Sequence, residues 1–361
     1  MFSFILRRIL YGLLVLFGVI TVVFMLFNLL PGDPARMMLG QRADEESIKI
    51  INKDLGLDLP LLTQYAMYLN DLSPISIHEE KNEEHYLYLS KDKYENSIPL
   101  FHLKSKVVVL KAPYLRRSYQ TKRHVSEIIL QALPQTALLA IVAMFIATLL
   151  GIILGVIAAI NKDGFIDRLS LFVATLGMSL PSFFAAILIG WFLAYILAPY
   201  TGLNMTGSLY TLDDFGDGYI FTPKNIILPA ITLGIRPLAI IMQLTRNSLL
   251  DVLSQDYIRT AKAKGLNRFK VIVKHSLRNA LNPVITAVSG WLASLMSGSV
   301  FVEMVFAWKG LGLVLVASLN EYDLPVLMGS VLTFSCIFVV INILVDILYG
   351  VLDPRIRLSN A

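Results

Sequence analysis

Five stretches of this chain, residues 9–30, 137–160, 169–198, 284–302 and 324–345, contain no charged side chain. Each reaches the roughly 18 or more residues needed to cross ~30 Å of hydrocarbon. A sixth, residues 227–250, has the same character apart from Arg236 and Arg246. With 56% hydrophobic and only 16% charged residues, the chain is too apolar for an ordinary soluble domain. It is expected to be an all-α membrane protein with six transmembrane helices. Residues 169–198 would extend about 45 Å as one helix, enough to ask whether they cross twice. Cut at Pro181 the two pieces are marginal, so Ser179-Leu180-Pro181-Ser182 is read as a kink in one tilted span.

Charge orients the spans. The segment from Asp251 to Pro283 carries seven basic residues against Asp251 and Asp256, which places it on the cytoplasmic side. Arg7 and Arg8, the Lys162/Arg168 turn, and a C-terminal tail with Arg355 and Arg357 then fall on that same side. The outer loops 199–226 and 306–323 instead carry Asp213, Asp214, Asp217, Glu321 and Asp323 against Lys224 and Lys309. Six spans leave both termini cytoplasmic. The first apolar run is longer than a signal-peptide core of ~7–15 residues, so it is expected to stay as an anchor. Because orientation accounts for the net charge of +5, no nucleic-acid partner is implied. The organisation expected is an N-terminal transmembrane helix (1–30), an extracytoplasmic lobe (31–127) and a five-helix core (128–361) with a cytoplasmic loop at 251–283.

Within the lobe, Asp58-Leu59-Pro60 followed by Leu61, Leu62, Tyr65 and Leu69 predicts a short helix. Residues 85–89 and 106–110 are candidate strands. Residues 117–134 read as an amphipathic lead into the second span.

Catalytic chemistry finds no constellation. No Gly-Lys dipeptide occurs, so there is no G-x-x-x-x-G-K-[ST] phosphate loop. The five histidines show no metal-ligand spacing, and Cys336 is the only cysteine. An intramembrane hydrolase lacks its G-x-S-G or G-x-G-D motif. An ion channel remains formally open and would conduct without ATPase partners.

Several segments, taken in order, resemble permeases of the oligopeptide, dipeptide and nickel ABC importers. They are LLPGDPA (29–35), TLGMSLPSFF (175–184), LTRNSLLDVL (244–253), YIRTAKAKGL (257–266), VFVEMVFAWKGLG (300–312) and VDILYGVLDPRIR (345–357). The resemblance implies a type I importer permease in a bacterial inner membrane. It implies pairing with a second, homologous permease, two ATPase subunits and an extracytoplasmic solute-binding protein. No cofactor is implied on this chain, since ATP and Mg would sit on the ATPase partners. Di- or oligopeptides are the implied cargo, with nickel chelates or glutathione as alternatives on the same scaffold. Residues 76–113 look like an insertion relative to the usual outer loop.

In such permeases the basic loop holds a coupling helix that docks on the ATPase. The resemblance assigns that role to Tyr257, Arg259, Thr260, Ala261, Ala263, Lys264, Gly265 and Leu266. Thr260, Ala261 and Ala263 are small enough for close approach, and Gly265 is able to take the positive φ that ends a helix. Arg259 stands where the broader importer consensus has Glu. The alternative is a loop that only sets topology and binds anionic headgroups.

Candidate path or gate residues are Pro181, Arg236, Ser294, Gly298 and Glu303. Pro181 is a hinge or a fixed kink. Gly151/Gly155 and Gly290/Ser294/Gly298 are small-residue stripes that permit sliding or close static packing. Arg236, near mid-bilayer, lines a water-filled path or pairs with a partner group. Glu303 shapes an outer gate or anchors at the interface. Asp346 is expected in helix packing or at the membrane interface rather than in ion binding.

Overall fold

The computed structural model describes residues 2–29, 56–82, 85–90, 93–94, 97–212 and 218–352, with single positions at 45, 49 and 52. The LLPGDPA segment beyond Leu29, the acidic residues at 213–217 and the basic tail at 355–357 lie outside the described residues. The chain divides into two compact units, Met1–Gly12, Leu133–Leu313 and Cys336–Ala361 forming one, and Leu13–Ala132 with Val314–Ser335 forming the other.

Among the described residues, four helices are individually long and apolar enough to cross a membrane. They are α1 (Phe2–Leu29), α3 (Val125–Ile160), α6 (Ile227–Leu253) and α12 (Leu324–Leu352). Three further pairs meet that test only jointly: α4 (Phe165–Ser179) with α5 (Ser182–Ile196), α8 (Arg268–Ala280) with α9 (Asn282–Gly298), and α10 (Val300–Phe306) with α11 (Leu311–Asn320). Their axes diverge by 113°, 51° and 83°. The expected single kinked helix over 169–198 is therefore corrected to two helices meeting at a sharp break. A residue before proline is pushed out of the helical region, and Leu180 (φ −74°, ψ 132°) and Pro181 (φ −59°, ψ 138°) are both extended. The outer loop expected at 306–323 holds helix α11, whose ten residues are too few to span alone.

In the first unit, α3 and α6 approach backbone to backbone. A Cβ on Gly155 would meet Met242 O at 2.6 Å, and one on Gly234 would meet Ala143 O at 2.9 Å. Leu139, Ala143, Ile241, Leu295, Phe306 and Trp308 form the core around them.

The second unit contains α2 (Leu61–Leu72), which starts after Pro60 as the sequence predicts. It packs through Tyr65 and Tyr68 on Phe24 of α1, with ring centroids 5.1 and 5.6 Å apart. The expectation of an all-α chain is corrected here. Strands β1 (Ile75–Glu79), β2 (Ile98–Leu103) and β3 (Lys106–Leu110) form an antiparallel sheet in the order β1-β3-β2. The first unit adds a small hairpin of β4 (Tyr210–Leu212) and β5 (Tyr219–Phe221). Residues 85–89, expected as a strand, make only a single bridge from Tyr88 to Glu79. Beneath the sheet, Tyr94 donates to Asp71 Oδ1 at 2.6 Å and Lys111 Nζ to Asp71 O at 2.6 Å. Burial pushes His78 down to about 4, with the Lys111 cation adding to the effect, and pushes Asp71 up.

Candidate translocation site and coupling segment

The α4/α5 break exposes main-chain polar groups inside an apolar segment, and α6 supplies a side chain to meet one of them. Arg236 Nη2 donates to Leu180 O at 3.0 Å, across 56 residues of sequence. A cation near mid-bilayer is costly, about 2.5–3.5 kcal/mol on insertion scales, unless it faces protein or water. Arg236 has both: besides Leu180, it is exposed to a cavity of about 350 Å³. Leu180 and Ser182 line that cavity from the break, Thr232 from α6, and Trp291, Ser294 and Gly298 from α9. The structure thus brings together three expected path residues, Arg236, Ser294 and Gly298, while Pro181 contributes through its two neighbours. A Cβ added at Gly290 or Gly298 would meet nothing within 4 Å, in contrast to the tight Gly151/Gly155 stripe.

Glu303 lies elsewhere. It is fully buried, and its carboxylate accepts four hydrogen bonds. Oε1 takes Thr136 Oγ1 at 2.7 Å and Ser299 Oγ at 2.8 Å; Oε2 takes the amides of Gly312 at 2.7 Å and Leu313 at 3.2 Å. Thr136 Oγ1 in turn accepts the Leu311 amide at 2.8 Å. Glu303 is thus a buried knot joining α3, α10 and α11; the alternative of an exposed interface anchor is corrected, and the residue does not line the cavity.

The basic segment folds as α7 (Asp256–Ala263), a turn, and α8. Ile258 and Ala261 face inward, clustering with Val271. Ala261, expected on a docking surface, is only 8% exposed and is corrected to an inward packing position. Tyr257, Arg259, Thr260, Ala263, Lys264 and Leu266 are exposed, and Tyr257 is held by Asn279 Nδ2 at 3.0 Å. Gly265 ends the helix at φ 75°, the left-handed region that favours glycine, with open space where a Cβ would stand.

Comparison with known families now bears on this arrangement. Residues 151–358 match the family described as binding-protein-dependent transport system inner membrane component. Residues 1–82 match the N-terminal membrane component of the same systems. The chain belongs to this permease family. A dipeptide transport system permease, DppB, from Alkalihalophilus pseudofirmus is 33% identical, covering 99% of this chain and 100% of that one. DppB of Bacillus subtilis is 35% identical over 94% of this chain and 93% of its own. The glutathione transport system permease GsiC of Shigella flexneri is 34% identical over 99% of both.

One feature of the permease escaped sequence reasoning. Arg246, the second cation of the α6 run, forks onto Asp167 at the start of α4 through Nε and Nη2, both at 2.6 Å. Asp167 also accepts the Asp163 amide at 2.9 Å. The pair is 79 residues apart, so no local spacing announces it. Asp346 pairs with Arg8 at 3.2 Å, with both side chains partly exposed.

Proposed function

We propose that this permease forms part of the translocation path of an ATP-driven importer for di- or oligopeptides, and that the peptide passes through the cavity at Arg236. The observation that carries this reading is a cavity-facing guanidinium at a helix break. A guanidinium has five N–H donors, and Leu180 O takes one. If α6 crosses from Ile227, Arg236 lies roughly 14 Å along it, near the middle of the bilayer. The volume falls within the ~300–1,000 Å³ of small-ligand sites, and Ser182, Ser294 and Thr232 add neutral polar groups. A full-length relative is named a dipeptide permease, which supports peptides as cargo. Glutathione, the cargo in the name of another relative, is the second reading.

The exposed side of α7, with Gly265 and Leu266, is assigned to the ATPase partner. A second permease and a solute-binding protein complete the assembly. Six crossings follow if α4/α5 and α8/α9 each cross once and α10/α11 dips back without crossing, leaving both termini cytoplasmic. Reporter fusions at Asn82 and Asn267 then give opposite compartments; equal signals would make α4/α5 a re-entrant pair and refute six crossings.

Arg236→Gln tests the path. Uptake of peptides with a free C terminus is expected to fall more than uptake of amidated ones, with assembly and basal ATPase activity retained. An equal loss would confine Arg236 to capping Leu180. Competition by nickel chelates rather than by small peptides would overturn the cargo assignment.

A further inference from the structure

The three-stranded sheet carries its side chains the wrong way round for a sheet facing water. Its register aligns Ile75 with Leu110 and Ile98, Ile77 with Val108 and Phe101, and Leu103 with Lys106. Successive residues of a strand point to opposite faces, and the bulge between Pro99 and Phe101 returns Phe101 to the face of Ile98. Antiparallel sheets with one solvated face normally put polar residues there. Here Ser76 and His78 are on the covered face and fully or almost fully buried. On the open face Ile75, Ile77, Ile98, Phe101, Leu103 and Leu110 are between 42% and 60% exposed. Such a patch reaches at least the ~300–600 Å² that is the largest on a typical soluble monomer.

The depth of the sheet in the unit says what covers this face. Tyr65 of α2 shares a 2.6 Å hydrogen bond with Thr21, inside the apolar span Ile5–Leu26 of α1. Thr21 is only ~7.5 Å of helix short of the end of that span. Asn70, a further ~7.5 Å along α2, clamps the sheet by exchanging two hydrogen bonds with the backbone of Ile77, at 3.1 and 2.9 Å. With α2 rising out of the hydrocarbon, Ile77 and its row-mates Val108 and Phe101 come level with its boundary to the headgroup zone, which adds ~5–8 Å to each side of the hydrocarbon. The same unit carries further exposed apolar side chains: Leu14, Phe17, Val22 and Met25 of α1 are 55–68% exposed, and Leu62 of α2 is 82% exposed.

The charge at the rim agrees. The β2–β3 turn carries exposed Lys104 and Lys106, and Lys104 is fixed there by its left-handed φ of 54°. The acid on this face, Glu79, is buried and accepts Ser105 Oγ at 3.3 Å. Lysines lay their apolar stems along such a surface and hold the ammonium among anionic headgroups. We infer that the open face of the β1-β3-β2 sheet rests on the adjacent membrane leaflet, with Ile98, Phe101 and Leu103 in the acyl boundary and Lys104 and Lys106 on anionic lipid. The sheet then acts as a monotopic foot that fixes the height of the lobe above the bilayer.

The test uses the full complex in nanodiscs of phosphatidylcholine with or without phosphatidylglycerol. Phe101→Cys is labelled with an environment-sensitive fluorophore in a Cys336→Ser background, Cys336 being exposed. Glu80→Cys, outside the apolar face, is the aqueous control. Leu103→Cys replaces the first variant if it does not assemble. Expected is quenching at 101 by brominated lipid and a several-fold drop in iodide quenching relative to 80. Lys104→Glu with Lys106→Glu reduces that shielding on the anionic discs. Equal iodide access at 101 and 80 would overturn the inference. So would shielding that appears only when the solute-binding protein is added, which would make the face a protein dock.

Discussion

Replacing Glu303 separates a buried knot from a gate. In Glu303→Ala the Gly312 and Leu313 amides lose their shared acceptor in a fully buried site, while the Thr136 and Ser299 hydroxyls lose theirs. A buried donor left unmatched costs about 1–3 kcal/mol. Ser299 has Met296 O at 3.2 Å as an alternative, so the amides dominate and the loss is about 3–6 kcal/mol once the vacated volume is included. Glu303→Gln behaves differently. Its carbonyl keeps the two amides, and its NH2 faces hydroxyls that turn from donor to acceptor, but the Thr136 O–H then loses the acceptor it had in Glu303 Oε1. A loss of about 1–2 kcal/mol is expected. Thr136→Val is expected to fall between them and to be non-additive with Glu303→Gln, because both act on one network. The assay is the apparent melting temperature of the purified complex at a fixed scan rate, since membrane assemblies of this size unfold irreversibly. The reasoning predicts wild type, then Gln, then Ala, with transport by surviving complexes near normal. An Ala variant that melts with the wild type yet fails to transport would refute the knot and restore the gate.

At the helix end, Gly265→Ala is expected to cost about 1–2 kcal/mol in local conformational energy, Gly265→Asn less, and Gly265→Asp to uncouple; undiminished ATPase stimulation by loaded binding protein in the Asp variant would count against the coupling assignment. Because His78 is held near 4 when folded and near 6.5 when unfolded, the unfolded lobe takes up the proton first. Stability of β1 and β3 is therefore lost as pH falls from about 6.5 to 4, by at most ~3 kcal/mol, and levels off below that. Asp71, pushed up by burial, works in the opposite direction on acidification, so hydrogen-exchange protection is compared in the Asp71→Asn background with and without His78→Gln; no difference between the two would refute it. Finally, Asp167→Asn leaves Arg246 half-buried without its carboxylate and is expected to cost about 3–5 kcal/mol, whereas Asp167→Asn with Arg246→Met recovers much of the loss, measured as assembled complex in the membrane. No recovery in the double variant would argue against the pair.

The long helices were legible because length and lack of charge are local properties. So was α2, from Pro60 and the spacing of Leu61, Tyr65 and Leu69. The sheet was half legible. Residues 107–109 are three consecutive β-branched valines and announce a strand, whereas β2 hides behind Pro99, a residue that itself marks an edge strand. β1 alternates regularly but with its apolar residues outward, so the pattern gave no warning of which face was covered. The proposed path residues were recognisable singly: a cation in an apolar run, a proline, small residues at four-residue spacing. What joins Arg236 to Leu180, or Arg246 to Asp167, is the way α4 is laid on α6, and nothing local in either segment encodes it.

Helix α6 runs unbroken from Ile227 to Leu253 despite Pro237, and only Ser254 and Gln255 separate it from α7. The cavity cation and the basic helix are thus the two ends of one lever, with Arg236 roughly 25 Å along the axis from Leu253. Glycine-mediated contact welds α3 to the arm of that lever, while Gly290 and Gly298 of α9 face open space. Under the coupling assignment proposed above, a push on α7 acts directly on α6, and carries with it both Arg236 and, through the Arg246–Asp167 fork, the start of α4.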